Sequence, residues 1–157
     1  MVEFTLTELE QYLCRRGAKM RFTNNRKQNI PISKVGPQSH EKTEIIGLGG
    51  EIAVARWLNI YPDLTTHTRQ GGADLISNTG KRIDVKTTMY KTGKLLAMMN
   101  TAYPDIDIFV LVTAKFPVFI VRGWATKEEL LRPDTVTNLG YNNVHCLAQD
   151  ELHTGKF

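Results

Sequence analysis

Two nearly unbroken apolar runs constrain the fold of this chain more than any other feature. Residues 106–112 are apolar apart from Asp107, and residues 119–121 carry no polar side chain. A strand that is covered on both faces has this composition, whereas a strand with one face in water alternates apolar and polar residues. We therefore expect both runs to form central strands of a sheet.

The neighbouring segments predict more strands, separated by turn-forming residues. Strand-like composition places them at residues 64–69, 73–77, 81–88, 106–113, 117–122 and 144–147. Asn78-Thr79-Gly80 has the composition of a hairpin turn between the second and the third of these strands. The chain therefore contains enough strands for one sheet of four or five.

Helical spacing of apolar residues and capping residues predicts helices over residues 4–13, 41–59 and 125–131. Gly17 is expected to end the first helix. The Asn, Pro and Gly content of residues 22–39 predicts an irregular basic arm. The order of helices and strands is typical of a single mixed α/β domain.

The central predicted helix places a carboxylate beside its buried stripe. Glu51 lies in the row next to the apolar stripe of this helix, where a lone charge is costly unless it has a partner. Gly49 and Gly50 precede it, and each disfavours a helix interior by about 1 kcal/mol relative to Ala. These glycines either permit a close backbone approach or bend the helix.

Positive charge is concentrated in two parts of the chain. The net charge is +4, but residues 14–39 contain seven Lys or Arg and no acid, and residues 81–94 contain five and one acid. A nucleic-acid backbone would explain this distribution, and the alternative is a solvated basic surface. The residues expected to contact such a backbone are Arg15, Arg16, Arg21, Arg26, Lys27, Lys91 and Lys94.

Other functional classes are disfavoured by composition. No run of about 18 apolar residues is present, so no membrane span is expected. The N-terminus lacks the pattern of a secretory signal, which predicts a cytoplasmic location. Cys14 and Cys146 stand alone without C-x-x-C spacing, so we expect reduced thiols and no structural zinc site.

Asp84 and Lys86 are the centre of the candidate site. Side chains two apart in a strand share a face, so Asp84 and Lys86 are expected to project into one cleft, with origins roughly 7 Å apart. A hairpin would bring Asp74, which follows Gly71-Gly72, beside Asp84. The alternatives are an exposed ion pair for Asp84 and Lys86, an Asx-turn for Asp74 and an exposed helical position for Glu51.

Paired carboxylates of this kind suit Mg²⁺, which prefers oxygen ligands and keeps several waters. A bound cation would polarise a phosphodiester and lower the pKa of an attacking water. Lys86 would orient that water, accept its proton or stabilise charge on the phosphorane. Glu51 would complete the metal shell directly or through water, or hold a second ion.

The series Gly50-Glu51, Gly72-Ala73-Asp74-Leu75 and Ile83-Asp84-Val85-Lys86 resembles the motif of the PD-(D/E)XK, or restriction-endonuclease-like, nuclease superfamily. Its compact members include archaeal-type Holliday junction resolvases. The resemblance covers residues 44–122, and it departs from the family pattern at Ala73, where a Pro is usual. It implies a metal at Asp74, Asp84 and the carbonyl of Val85, with Glu51 as the helical acid and Lys86 as the lysine of the motif.

The expected fold is α/β, a restriction-endonuclease-like core with a central mixed sheet of four to five strands flanked by helices. Residues 1–157 are expected to form one nuclease domain, with a basic N-terminal helix and arm over 1–39 and a catalytic core over 40–157. The expected activity is hydrolysis of DNA phosphodiesters with Mg²⁺ or Mn²⁺.

Small size favours a structure-selective, resolvase-like endonuclease acting on branched DNA, for which two symmetric cuts would require a homodimer. One alternative is a sequence-specific restriction-type endonuclease. The other is a catalytically inactive nucleic-acid-binding module of the same fold.

Overall fold

The computed structural model describes residues 1–29, 39–66, 72–101, 103–140 and 142–157. Its strands are β1 (Val2–Thr5), β2 (Leu75–Ile76), β3 (Arg82–Thr88), β4 (Leu95–Met98), β5 (Ile108–Lys115), β6 (Val118–Thr126), β7 (Val136–Asn138) and β8 (Asn143–Leu147). Its α-helices are α1 (Glu8–Lys27), α2 (His40–Leu58) and α3 (Lys127–Leu130), and short 3₁₀ turns lie at Pro133–Thr135 and Gln149–Glu151.

The main sheet has five strands in the order β1-β6-β5-β3-β2. The β3–β5 pair is parallel and the other pairs are antiparallel, so the sheet is mixed. Both apolar runs lie in interior strands, β5 and β6, which confirms that prediction. The mixed α/β architecture is therefore as expected from the sequence.

Strand β5 separates two apolar cores because its side chains alternate between the faces of the sheet. Val110 and Val112 pack into the core beneath α2, whereas Phe109 and Leu111 pack into a second core with residues of β4 and β8. A strand that serves two cores must be apolar at nearly every position. This accounts for the unbroken run in the sequence.

The N-terminal helix differs from the prediction at both ends. The predicted helix over 4–13 is wrong at its start, because residues 2–5 pair with β6 and Thr7 caps α1 in a capping box with Glu10. The helix continues through Gly17 to Lys27, so residues 22–27 of the predicted arm are helical. A Cβ atom added at Gly17 would lie 2.8 Å from Leu48 Cδ2, which shows that this glycine serves close helix packing. Residues 30–38 of the predicted arm lie outside the described residues.

The central helix α2 begins at the Ser39 cap and ends at Asn59, whose φ of 57° is left-handed. A Cβ atom added at Gly49 would overlap the ring of Phe119, and one added at Gly50 would overlap the side chain of Thr87. The two glycines therefore bring the helix backbone close to the sheet. This contact fixes the height of the next residue, Glu51, over the sheet.

Some predicted strands are shorter than expected, and other strands were not predicted. Residues 64–66 have no regular structure, residues 67–69 are not among those described, and only Leu75–Ile76 of the predicted strand 73–77 is a strand. No sequence pattern predicted β4 and β7, which form a second, three-stranded sheet with β8 in the order β4-β8-β7. The predicted last strand and the Thr126-capped last helix are confirmed, the helix ending one residue earlier than expected. In the part of the chain that the structure describes, no helix combines the length and apolar content that a bilayer span needs.

Candidate functional site

Strand β3 supplies two of the predicted site residues. Ile83 and Val85 are buried in the core beneath α2, so Asp84 and Lys86 project from the opposite face. Lys86 Nζ lies 2.7 Å from Asp84 Oδ1, and the two side chains are 35% and 13% exposed. The sequence prediction that these residues share a face is therefore confirmed.

Asp74 reaches the same strand from its edge. The Asn78–Gly80 turn closes as predicted, with the Ser77 N–H donating to the Lys81 carbonyl at 2.9 Å. The N–H of Asp74 donates to the Ile83 carbonyl at 2.8 Å, and the N–H of Val85 donates to Asp74 Oδ2 at 2.8 Å. Asp74 lies just before the first residue of β2. Its carboxylate accepts the hydrogen bond of the Val85 N–H that a neighbouring strand would otherwise accept.

Asp74 is the carboxylate at this edge whose pKa is shifted by its neighbours. Burial raises the pKa of Asp74 to about 7, and the charges of Glu51 and Asp84 add to this effect. Two like charges near a buried carboxyl are unfavourable in the absence of a cation. Clusters of this kind are more frequent at functional sites than elsewhere.

Glu51 approaches from the α2 side and is held by Arg21 of α1. Its side chain is 10% exposed, and Arg21 binds it with both arms of the guanidinium: Nη1 lies 3.0 Å from Oε1 and Nη2 lies 3.1 Å from Oε2. Arg21 also donates from Nη2 to the Asp63 carbonyl at 2.9 Å and from Nε to the Thr65 carbonyl at 3.2 Å. The fork therefore joins α1, α2 and the segment that follows α2.

The position of Arg21 differs from the sequence hypothesis, which assigned it to a DNA-binding arm. Burial lowers the pKa of Arg21, but the charge and hydrogen bonds of Glu51 more than compensate, so the pKa is raised overall. The sequence did contain the relevant signal, because a carboxylate beside a buried stripe requires a partner. The periodicity of α2 did not indicate which of seven basic residues would supply it.

Lys86 has a second neighbour, Tyr103, which the sequence analysis did not assign to the site. Lys86 Nζ lies 5.7 Å from the centre of the Tyr103 ring, within the range of a cation–π contact. Burial lowers the pKa of Lys86, but nearby negative charge, chiefly that of Asp84, raises it more, so the ammonium form is favoured. Tyr103 has a φ of 46°, an uncommon value for a bulky residue that no sequence pattern predicts.

The other residues predicted to contact a nucleic-acid backbone lie on the surface. The exposed side chains are Arg15, Arg16, Lys19, Arg26 and Lys27 on α1, and Lys91 and Lys94 in the loop after β3. The guanidinium of Arg15 lies 5.2 Å from the centre of the Phe116 ring, and that of Arg26 lies 5.3 Å from the centre of the Phe22 ring. Among the seven residues predicted to contact a nucleic-acid backbone, all of which are described, only Arg21 binds a carboxylate of the candidate site.

The candidate metal donors are carboxylates at the edge of β3. Among the residues described, no group of three or more His, Cys, Asp and Glu side chains has the spacing of a metal site. Arg21 binds both carboxylate oxygens of Glu51. The carboxylates considered as direct metal ligands are therefore those of Asp74 and Asp84. The buried Oδ1 of Asp84 accepts no well-directed hydrogen bond, despite its proximity to Lys86.

A carboxylate pair at a strand edge, a lysine on the same strand and a basic helix nearby are thus the features from which function is inferred. Comparisons with protein-family models, with curated proteins and with solved structures gave no match to this chain.

Proposed function

We propose that the protein is a divalent-metal-dependent DNA endonuclease with a restriction-endonuclease-like core. The observation that carries this proposal is the arrangement around β3: Asp74 bound to the N–H of Val85, and Asp84 paired with Lys86 on the same strand. The two acids and the lysine belong to the motif on which the family resemblance rests. Their proximity in the fold supports the resemblance beyond the sequence spacing.

The donor atoms fit a hard divalent cation. Mg²⁺ is often held by only one or two carboxylates, with waters and substrate phosphate as the other ligands. The buried Oδ1 of Asp84 lacks a well-directed donor, and the pKa of Asp74 is raised by burial and by neighbouring negative charge. A cation held by these two carboxylates would give Asp84 Oδ1 a partner and would offset the negative charge around Asp74. We therefore assign these two carboxylates as the ligands of Mg²⁺ or Mn²⁺.

The carbonyl of Val85 is the third proposed ligand. The N–H of Val85 donates to Asp74, and in an extended strand the N–H and C=O of one residue point to the same side. The carbonyl is therefore turned toward the edge that Asp74 occupies. Glu51 would act on the site through water or through its charge, because Arg21 binds both of its oxygens.

A divalent cation held by Asp74 and Asp84 would supply polarisation of the phosphodiester and a lowered pKa for an attacking water. Lys86 stays protonated because Asp84 raises its pKa, so its role is to orient the nucleophile or to stabilise charge on the phosphate. This choice disfavours the other role considered for Lys86, acceptance of a proton from water. Asp84 positions the ammonium at 2.7 Å while it contributes to the cation site.

The basic face of α1 and the loop after β3 would bind the DNA backbone. The helix carries exposed Lys and Arg side chains and the loop carries exposed Lys side chains, and phosphate contacts of this kind give affinity without sequence specificity. We propose a structure-selective substrate, such as branched DNA, and a homodimer that makes two symmetric cuts. A sequence-specific restriction-type enzyme would instead produce discrete fragments from a long duplex.

The first experiment compares cleavage of supercoiled plasmid, linear duplex, single-stranded DNA and a four-way junction. Each substrate is incubated with Mg²⁺, Mn²⁺ or EDTA, and with the wild type, Lys86→Ala and the control Lys115→Ala, which removes an exposed lysine at the end of β5. Metal-dependent cutting that Lys86→Ala loses and Lys115→Ala keeps is the expected result. Binding without cutting of any substrate would instead identify a catalytically inactive nucleic-acid-binding module.

A further inference from the structure

The turn that follows β3 presents an exposed aromatic side chain on a fixed backbone. Tyr90 is 59% exposed, although it lies only two residues beyond the last residue of β3. The N–H of Gly93 donates to the Tyr90 carbonyl at 2.9 Å, which closes a turn over residues 90–93. The N–H of Tyr90 donates to Thr88 Oγ1 at 3.2 Å, and a Cβ atom added at Gly93 would overlap the side chain of Thr88.

A distant residue holds this turn. Gln149 donates from Nε2 to the Lys91 carbonyl at 2.9 Å and to the Gly93 carbonyl at 2.8 Å. Gln149 itself belongs to the 3₁₀ turn Gln149–Glu151 and is half-buried. Long-range bonds from a side chain to two carbonyls of one short turn restrict its backbone. An exposed ring on a restricted turn loses little conformational entropy when it binds a partner.

The chain segment that contains the turn carries only positive charge, whereas Asp150 and Glu151 follow Gln149 in the segment that holds it. Residues 85–104 include Lys86, Lys91 and Lys94 and contain no Asp or Glu. Lys91 and Lys94 are both exposed, on either side of the turn's glycine. An aromatic ring followed by two solvated lysines is a combination that binds single-stranded nucleic acid, with the ring stacked on a base and the lysines near phosphates.

We propose that residues 90–94, which we name the Tyr90 turn, bind an unpaired nucleotide of a single-stranded segment of the substrate. The ring of Tyr90 would stack on the exposed face of a base, which in a duplex is covered by the neighbouring base pairs. Gln149 is the positioning residue that holds the turn. The inference rests on the proposed nuclease function for the choice of nucleic acid and deepens it by naming the strand state that is recognised.

The location of the turn fits this role. Tyr90 follows Lys86 by four residues, and an extended chain rises about 3.3 Å per residue, so their Cα atoms are at most about 13 Å apart. One bound strand would span the turn and the proposed cleavage site. Recognition of an unpaired base beside the scissile bond would favour branched or frayed DNA over a uniform duplex.

The test measures binding in EDTA, where no cleavage is expected. Fluorescence anisotropy compares a labelled oligothymidylate with a labelled duplex of equal length, using the wild type, Tyr90→Ala and Tyr90→Phe. Tyr90→Ala is expected to weaken oligothymidylate binding by about 5- to 150-fold and duplex binding by less than about twofold, whereas Tyr90→Phe keeps the ring and the affinity. The matched control is Tyr61→Ala, which removes a tyrosine that is 82% exposed and distant from the turn in sequence.

Two further variants test the parts of the turn separately. Gln149→Ala is expected to weaken oligothymidylate binding in the wild-type background but not in the Tyr90→Ala background, because both changes act on one contact. Each of Lys91→Ala and Lys94→Ala should reduce the salt dependence of binding, with a slope change of about 0.7 per lysine on a single strand.

The proposal is overturned if the wild type does not bind oligothymidylate, if Tyr90→Ala binds it like the wild type, or if Tyr61→Ala loses as much affinity. Tyr90→Phe must also match the wild type, since loss in this variant would exclude stacking as the cause. These outcomes are separate from the nuclease test, because Lys86→Ala would abolish cleavage while leaving the effect of Tyr90 on binding in EDTA unchanged.

Discussion

The guanidinium of Arg21 binds the carboxylate of Glu51 in a bidentate manner, with Nη1 3.0 Å from Oε1 and Nη2 3.1 Å from Oε2. The two residues come from different helices, α1 and α2, and both side chains are nearly buried. Bidentate pairs of this type fix orientation as well as charge. Glu51 therefore has a defined direction at the site, and α1, which carries five exposed basic residues, is joined to the helix that carries Glu51.

Replacement of Arg21 should destabilise the protein strongly. Arg21→Gln leaves the charge of Glu51 nearly buried and without its bidentate partner, which costs about 3–5 kcal/mol for fully buried pairs. Because the pair retains some exposure to water, we expect a loss of about 2–4 kcal/mol in the free energy of unfolding, measured by urea denaturation. Arg21→Lys keeps the charge but loses the bidentate contact, so its free energy of unfolding should lie between those of the wild type and Arg21→Gln.

The double variant Arg21→Gln/Glu51→Gln provides the control for this interpretation. If the destabilisation comes from the nearly buried charge of Glu51 after loss of the Arg21 guanidinium, removal of that charge should restore part of the stability lost in Arg21→Gln. Equal urea midpoints for Arg21→Gln and the wild type would show that the ion pair contributes nothing to folding.

The metal-free protein should be stabilised by Asp74→Asn above neutral pH. The pKa of Asp74 is raised to about 7, mainly by burial and then by Glu51 and Asp84. A raised carboxyl pKa contributes stability that is fully present below the unfolded pKa near 4 and is lost as pH rises through 7. At pH 8 the variant, which carries no charge there, should gain roughly 2 kcal/mol, a value reduced for partial exposure to water. At pH 4 the two proteins should be equal.

Thermal melts in EDTA at the two pH values measure this difference. Addition of Mg²⁺ at pH 8 should raise the melting temperature of the wild type more than that of Asp74→Asn, since the variant lacks one charged ligand. A variant that melts below the wild type in EDTA at pH 8 would show that Asp74 is not a site of unfavourable charge.

The sequence predicted most of the site because its residues lie on local patterns. Asp84 and Lys86 follow from the two-residue period of a strand, and the approach of Asp74 follows from a hairpin closed by Asn78–Gly80. These are short-range rules that tertiary packing did not override. The interior position of β5 likewise follows from an unbroken apolar run.

The parts that the sequence did not predict depend on contacts between distant residues. Arg21 meets Glu51 across thirty positions, and Gln149 reaches the Tyr90 turn across more than fifty, so no local pattern records either contact. Gly17 has the composition of a helix end, yet α1 passes through it because Leu48 packs closely there. A residue that breaks helices in isolation is retained where close packing requires the absence of a Cβ atom.

The ring of Tyr103 should support catalysis separately from its hydroxyl. The ring lies under Lys86 Nζ, whereas the hydroxyl accepts a hydrogen bond from the N–H of Met98 at 2.9 Å. Tyr103→Leu should lower the cleavage rate by about 3- to 30-fold, the equivalent of a partly buried cation–π contact. Tyr103→Phe should keep the rate within about threefold but lose about 1 kcal/mol of stability, since the Met98 N–H loses its acceptor.

Cleavage rates and urea unfolding measured on the same preparations separate the two effects. If both variants lose rate in proportion to stability, the role of Tyr103 is only structural. A lower rate in Tyr103→Leu at saturating substrate, with the KM unchanged, is the result expected for a residue that acts through Lys86.

The two glycines at Gly47 and Gly50 of α2 should respond in opposite directions to the same substitution. Nothing lies within 4 Å of a Cβ atom added at Gly47, so Gly47→Ala should stabilise the helix by about 0.5–1 kcal/mol. A Cβ atom at Gly50 would overlap the side chain of Thr87, so Gly50→Ala must move α2 away from the sheet, at a cost of about 1–3 kcal/mol. Because Glu51 is the next residue, Gly50→Ala should also lower the cleavage rate. The double variant Gly50→Ala/Thr87→Ala removes the overlapping side chain, so it should recover part of the lost stability and part of the lost cleavage rate. Thermal melts and cleavage rates of the three variants decide the matter: equal effects of alanine at Gly47 and Gly50 would mean that close packing against Thr87 does not set the position of the helix.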